Sequence, residues 1–251
     1  FFIYRPTSWV PLIVDAPLGR FTAQGRLSRD PALRDTLRFA ASIDSLALVR
    51  GLLSDSLAAA WGDSLAGHAR LRGLAFGSLD TLDIRTEWEG VGLKAGSNAA
   101  DSVSGDLLLF GFPSATRGLA TFDALRVVLG GVPLHRLSAE ATVREPAWVD
   151  ASVRLMAGDS LYATARADVR WTPDSVRVQL DSLDAVSPGM HWRLAQPALM
   201  TSSATGLQLD SLRLASAEGA RIEILAHIDS AGPIVGTLRA LRVPIAHAAF
   251  T

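Results

Sequence analysis

The run 161–171 alternates apolar and polar side chains without interruption, and this regularity constrains the fold more than any other feature of the sequence. The odd positions are apolar, and the even positions are polar or amphipathic. A period of two residues is typical of a β-strand with one apolar face and one polar face, whereas helical spacing would bring Thr164 and Asp168 into the apolar stripe. At about 3.3 Å per residue the strand would be ~36 Å long, roughly twice the usual length.

The same alternation recurs along most of the chain after residue 62. Turn signals such as Gly130-Gly131 and Ser187-Pro188-Gly189 separate the alternating stretches, and strands joined by such short turns are antiparallel neighbours. The sequence therefore predicts a mainly β fold, a long antiparallel meander. The residues predicted to share its apolar face are Leu82, Ile84, Trp88, Leu137, Ala139, Ala141, Val143, Val149, Ala151, Val153, Leu161, Ala163, Ala165, Ala167, Val169, Trp171, Val176, Val178, Leu207, Leu209, Ile222, Ile224, Ala226 and Ile228.

The pattern divides the chain into three regions, which we expect to be a fragment (1–251) of a longer repetitive β-structure. Region 1–29 reads as edge strands, 30–61 as a partly helical insertion, and 62–251 as continuous antiparallel strands. Within the insertion, helical spacing predicts a helix over about 45–60, capped by Asp44 or Ser45. The stretch 33–41 fits either a helix or a strand.

A four-residue phrase, apolar-Asp-Ser/Thr-Leu, occurs at 43–46, 79–82, 180–183 and 209–212. Its two apolar residues are three apart, so they lie on opposite faces of an ideal strand. Both can lie on the apolar face only if the polar pair inserts a β-bulge, which would also bend the sheet. The alternative interpretation of each copy is a polar turn between two short strands.

Composition excludes several classes of protein. The formal net charge of −1, with acids and bases interleaved, argues against nucleic acid as a partner, because phosphate binding requires a basic patch. The absence of cysteine excludes disulfide scaffolds, thiolate zinc sites and thiol catalysis. No segment approaches 18 uninterrupted apolar residues, the length expected of a membrane-spanning helix.

Signals for catalysis do not rise above background, and we expect a protein that is not an enzyme and needs no cofactor or metal. The five histidines are scattered and show no metal-binding spacing, and we expect most of them on polar strand faces. Acids such as Glu87 and Glu89 alternate on a solvated face. The tryptophans could form a stacking platform for sugars or bases, but closing the ends of apolar strips is the simpler role. They are Trp61, Trp88, Trp148, Trp171 and Trp192.

Many long strands with one apolar side form an apolar surface too large for one helix of about sixteen residues to cover. Such a surface must be hidden by a second sheet, by closure into a barrel, or by a ligand. A partly closed sheet would be a trough whose apolar inside is open to lipid tails.

Two stretches resemble the repeats of TamB proteins and the wider AsmA-like group. One is 206–226, containing Leu-Gln-Leu-Asp-Ser-Leu and preceded by His-Trp-Arg-Leu at 191–194. In the other, the run 45–53 is followed by 65–73, as a short helix passing into a strand that ends in glycine. The resemblance extends over most of 20–250 and rests on the recurring pattern of strands and turns, not on catalytic motifs.

This resemblance implies a periplasmic part of a diderm-bacterial envelope protein whose full-length form is anchored in the inner membrane. Such proteins form an elongated, U-sectioned β-groove (a β-taco). They are associated with phospholipid transport to the outer membrane and with outer-membrane biogenesis and protein secretion. The implied partners are phospholipid acyl chains and, through regions absent from this chain, an outer-membrane barrel protein of the BamA/TamA type.

Three rival interpretations stay open on the sequence. A structural or adhesive β-solenoid of a secreted or cell-surface protein would show regular repeats of about 20–30 residues, whereas the spacing here is irregular. An outer-membrane barrel needs a tall apolar band with aromatic girdles, and a helical segment at 45–60 fits it poorly. A carbohydrate-active enzyme would use the tryptophans and acids, and it is the weakest of the three.

Overall fold

Nearly every alternating stretch of the sequence forms a β-strand. The computed structural model describes residues 12–30, 35–48, 65–158, 161–187, 189–229 and 234–243. The strands in these ranges are β1 (Leu12–Ala16), β2 (Gly19–Gly25), β3 (Asp35–Ile43), β4 (Ala66–Ser78), β5 (Thr81–Ala95), β6 (Asn98–Pro113), β7 (Arg117–Leu129), β8 (Val132–Glu145), β9 (Trp148–Ala157), β10 (Leu161–Thr172), β11 (Ser175–Ser187), β12 (Met190–Leu194), β13 (Ala198–Ser203), β14 (Gly206–Ser216), β15 (Arg221–Asp229) and β16 (Ile234–Leu241). The predicted mainly β fold is confirmed.

The strands form one sixteen-stranded sheet in which hydrogen-bonded neighbours follow chain order from β1 to β11. The next two strands, β12 and β13, share a single position in the sheet, because both pair with β11 on one side and with β14 on the other. Strands β14, β15 and β16 then complete the order. The antiparallel meander predicted from the short turns is therefore present.

The chain divides into two units, Phe1–Leu134 and His135–Thr251. The first unit contains β1 to β7, and the second contains β9 to β16 and most of β8. Each unit is described by itself below.

The stretch 33–41, which fits either a helix or a strand by sequence, is a strand where it is described. Its odd residues Leu37, Phe39 and Ala41 pair with Ala75, Gly73 and Leu71 of β4, so a period of two prevails over the helical spacing. Of the helix predicted over 45–60, residues 46–48 form one turn of 3₁₀ helix, and 49–60 lie outside the described residues.

Within each unit the described strands form a single layer. Every pair of strands in substantial contact inside one unit is also a hydrogen-bonded pair, so no second layer of strands from the same unit packs on the described part of its faces. The buried apolar residues are correspondingly few, and no large described side chain is completely buried. They are Leu65, Ala75, Leu82, Val103, Ala124, Val127 and Leu134 in the first unit, and Met190, Ala198 and Ala220 in the second.

Two of the four copies of the repeated phrase form the predicted bulge. In β11 the register shifts by one residue, so that Leu180 pairs with Ala167 and Leu183 with Ala165. In β14 the shift lies between Leu209 and Leu212. The other two copies end strands instead: 79–80 is the turn between β4 and β5, and 44 is a bend directly after β3. The phrase is therefore a bulge in mid-strand and a polar turn at a strand end.

Candidate functional site: the apolar faces of the sheet

Strands β8, β9 and β10 place their apolar residues in register, because directly paired residues of antiparallel strands point to the same side. Ala165 pairs with Val153, and Val153 pairs with Ala139. Two residues along, Ala167, Ala151 and Ala141 form the next row. These rows start the apolar face of the second unit, and β8 to β10 line it mostly with alanine and valine.

The apolar face continues through β11 to β16. By register it contains every candidate of the second unit whose side chain is described, and Leu161 pairs in the ladder with Ala157. Further members lie outside the predicted set. Leu180 continues the alternation of Val176 and Val178, and the bulges bring Leu183, Leu212 and Leu214 to this side, with Trp192, Leu194 and Met200 from the divided strand. The parity switch from Leu207 and Leu209 to Leu212 and Leu214 is the sequence signal of the β14 bulge.

The bulges in β11 and β14, and the break at 195–197 between these strands, interrupt the regular strand backbone. Polar side chains at the two bulges lie on the face opposite the apolar one. In β11, Gln179 donates a hydrogen bond to Asp181 (2.8 Å), and in β14 Gln208 donates one to Asp210 (2.7 Å). Between these two bulged strands lies the 195–197 break that separates β12 from β13. There the backbone amide of Ala195 donates to the carbonyl oxygen of Arg213 at 2.8 Å.

The first unit forms its apolar face from other residue types. Leu82, Ile84 and Trp88 share it by register and pair with Gly77, Ala75 and Leu71 of β4. On their other side Trp88 pairs with Gly105 of β6. The Trp88 ring lies over that glycine, since a Cβ built there would be 2.6 Å from Cε2 of the indole.

Aromatic rings cover two glycines of this face. The Trp88 ring also packs against Phe122 of β7, with ring centroids 5.6 Å apart. Phe39 covers Gly73 in the same way, its Cζ lying 2.5 Å from where a Cβ would be. Sequence reasoning missed Phe39 because the stretch 33–41 fits either a helix or a strand, and it missed Phe122 because the adjacent apolar residues Leu119 and Ala120 interrupt the alternation. Aromatic rings that cover glycines therefore form part of the apolar face of the first unit.

On the polar faces, arginines form ion pairs with carboxylates of neighbouring strands. Examples are Arg72 with Glu87 (2.6 Å) in the first unit and Arg213 with Glu223 (2.7 Å) in the second. Glu89 lies 3.8 Å from Arg70, so both candidate acids of β5 face arginines. Opposite charges placed across neighbouring strands stabilise a solvated sheet face modestly.

The tryptophans of the second unit do not form one stacking platform. Trp171 and Trp192 lie on the apolar face by register, whereas Trp148 lies on the polar face opposite Arg170. The Arg170 guanidinium covers the Trp148 ring at 4.4 Å, and the Trp148 indole N–H donates to Asp168. Trp61 lies outside the described residues.

Two histidines of the second unit are hydrogen-bonded to carboxylates on the polar face. His191 Nε2 lies 2.8 Å from Asp184 Oδ1, and His227 Nε2 lies 2.8 Å from Asp229 Oδ1. The hydrogen bond with His191 holds the pKa of Asp184 below its usual value, with Arg193 adding to the effect. Within the described ranges, no group of three or more histidines and acids is arranged to hold a metal ion.

Comparison with known proteins gives no relative: no protein-family model, curated protein or solved structure matches this chain. Among the described residues, no helix is long and apolar enough to cross a membrane.

Proposed function

We propose that this chain is the periplasmic part of an AsmA-like, TamB-type protein of a diderm-bacterial envelope, and that its apolar faces shield phospholipid acyl chains during transport between the inner and outer membranes. The observation that carries the proposal is the unpartnered apolar face of the second unit. It extends over β8 to β16, and no second layer of described strands from the same unit lies on it.

A large apolar surface left without a protein layer needs another apolar partner. Moving one methylene into water costs about 0.8 kcal/mol, so a phospholipid with ~30 of them meets a barrier of more than about 20 kcal/mol without a shield. A strip of half-buried aliphatic side chains lowers this barrier without chemistry or a cofactor. The small residues Ala163, Ala165 and Ala167 leave space above β10 for a tail.

The alternative, a structural or adhesive β-solenoid, receives less support from the topology. β-helical solenoids stack their coils as parallel strands. The pairings of β1 to β7 and of β8 to β16 are antiparallel. Consecutive antiparallel hairpins form a broad sheet face, whereas a β-solenoid forms a coil filled with its own side chains.

The test is lipid retention by the purified chain. Native mass spectrometry should find co-purified phospholipid, and photoactivatable phospholipid should crosslink to the apolar face of the second unit. The variant Ala165→Arg places a charge in the middle of this face and should abolish crosslinking there. Its matched control, Thr164→Arg, changes the adjacent residue on the polar face and should leave crosslinking unchanged. Undiminished crosslinking in Ala165→Arg would overturn the proposal.

A further inference from the structure

Thr86 is a polar residue in the middle of the apolar face of the first unit. It pairs with Gly73 of β4 and with Leu107 of β6. Ile84 and Trp88 stand two residues away from it on the same side of β5, so its neighbours on the face are apolar. Thr86 is buried, with an exposed fraction of 7%. A hydroxyl group is therefore placed on a surface that is otherwise suited to hydrocarbon.

The hydroxyl of Thr86 has no hydrogen-bond partner among the residues that the structure describes. Ser78, which is also buried, shows the usual arrangement, because its Oγ lies 3.1 Å from Oγ1 of Thr81. The unpaired side-chain oxygen that is completely enclosed in the described part of the chain belongs to Asp35. The Thr86 oxygen is therefore unpaired but still reachable from the apolar face.

A buried hydroxyl without a partner disfavours the folded state, because it loses its hydrogen bonds to water and gains none in return. Valine has nearly the same shape as threonine and the same preference for a strand, so it would fill this position of β5 without that cost. The fold does not account for the hydroxyl of Thr86. Its missing partner points to a ligand.

The surroundings of Thr86 restrict the chemistry of that ligand. The hydroxyl can donate one hydrogen bond, so the ligand can pair with it through an acceptor oxygen. The rest of the ligand must be apolar, since Leu107 lies on one side and the Phe39 ring covers Gly73 on the other. An acyl lipid combines these features, because an ester carbonyl oxygen stands at the head of each hydrocarbon chain.

We infer that the Thr86 hydroxyl donates a hydrogen bond to an ester carbonyl oxygen of an acyl lipid lying on the apolar face of the first unit. This inference rests on the proposed function, to which it adds the ester linkage as the chemical group that is recognised.

Ester-linked and ether-linked phospholipids of equal chain length test this recognition, because the ether lipid lacks the carbonyl oxygens. Each lipid carries a photoactivatable group on one chain, and mass spectrometry identifies the crosslinked peptides. At β4 to β6 the half-saturating concentration of the ester lipid should be about three- to tenfold lower than that of the ether lipid, as one neutral hydrogen bond provides. Crosslinks at Ala163, Ala165 and Ala167 of β10 should show no such preference, because alanine side chains offer no donor.

Substitutions at Thr86 assign the preference to its hydroxyl. Thr86→Val should abolish the preference for the ester lipid, whereas Thr86→Ser keeps a hydroxyl and should retain it. The matched control Thr36→Val removes an exposed hydroxyl from the polar face of β3 and should leave the preference unchanged. Thr86→Val should also raise the urea midpoint of unfolding, because it removes an unpaired buried hydroxyl.

The outcomes separate this inference from the proposed function. If the unmodified chain retains both lipids with equal half-saturating concentrations at β4 to β6, the inference fails and the proposed function stands. An ester preference that survives in Thr86→Val has the same meaning. A lower urea midpoint in Thr86→Val also overturns the inference, because the protein itself would then hold the hydroxyl. Retention of neither lipid overturns the proposed function, and the inference with it.

Discussion

The two units form the same kind of apolar face from different residues. In the first unit, aromatic rings cover glycines of the neighbouring strand, as Trp88 covers Gly105 and Phe39 covers Gly73. In the second unit, rows such as Ala141, Ala151 and Ala167 fill the surface with small aliphatic side chains. The apolar face of the first unit depends on glycines, which have no Cβ. The apolar face of the second unit depends on β-bulges that keep its leucines on one side.

Deletion of a single strand residue should have the most different effects on the stability of the two units. Removing Arg85 from the middle of β5 moves one half of that strand to the wrong face, which should destabilise the first unit by about 4 kcal/mol or more. Removing Ser211 from the β14 bulge leaves Leu209 and Leu212 two residues apart and still on the apolar face. Urea unfolding followed by circular dichroism should show a much smaller loss for the second deletion. Equal losses would mean that the bulge does not protect the register.

Substitution by a slightly larger side chain should affect stability differently on the apolar faces of the two units. Gly105→Ala introduces a Cβ into the Trp88 ring and the neighbouring β7 backbone, so we expect a loss of about 2–3 kcal/mol in the free energy of unfolding. Ala151→Val adds two methyl groups to the open face of the second unit and should change stability by less than about 0.5 kcal/mol. Chemical denaturation of both variants checks this. A larger loss in Ala151→Val would show that the second face is closely packed.

The bulge in β14 contains a residue with positive φ, Ser211 at 39°. A non-glycine residue in this region is strained, so Ser211→Gly should stabilise the second unit by about 0.5–1 kcal/mol, less the weak hydrogen bond from Gln196. Thermal unfolding should show a small rise in the midpoint. The matched control is Ser182→Gly in the β11 bulge, which has no positive φ to relieve and should lower the midpoint slightly.

The smallest effect should come from the polar face of the second unit. Because the hydrogen bond with His191 lowers the pKa of Asp184, the pair stabilises the folded state above the ordinary carboxyl pKa. This contribution is lost as the pH falls through the lowered pKa. Asp184→Asn should therefore reduce stability slightly at pH 6, and the difference should shrink as the pH falls below the ordinary carboxyl pKa. A difference that stays constant across this range would exclude the ion pair as its cause.

Strand alternation was sufficient to predict the mainly β fold and the faces of β8 to β10, since each of these strands is regular along its length. It was insufficient for β6, where Leu107, Leu108 and Leu109 are consecutive and show no period. The repeated phrase shows a second limit. The phrase forms a bulge at 209–212 and a turn at 79–82, so four residues alone do not decide between the two.

The single layer of strands has a consequence for how this protein unfolds. Each described strand is held by its immediate neighbours, so its stability resembles that of a one-dimensional array of linked elements. In such an array, damage at one strand weakens the adjacent strands more than distant ones. Amide hydrogen exchange should therefore rise most in the strands next to a destabilised one.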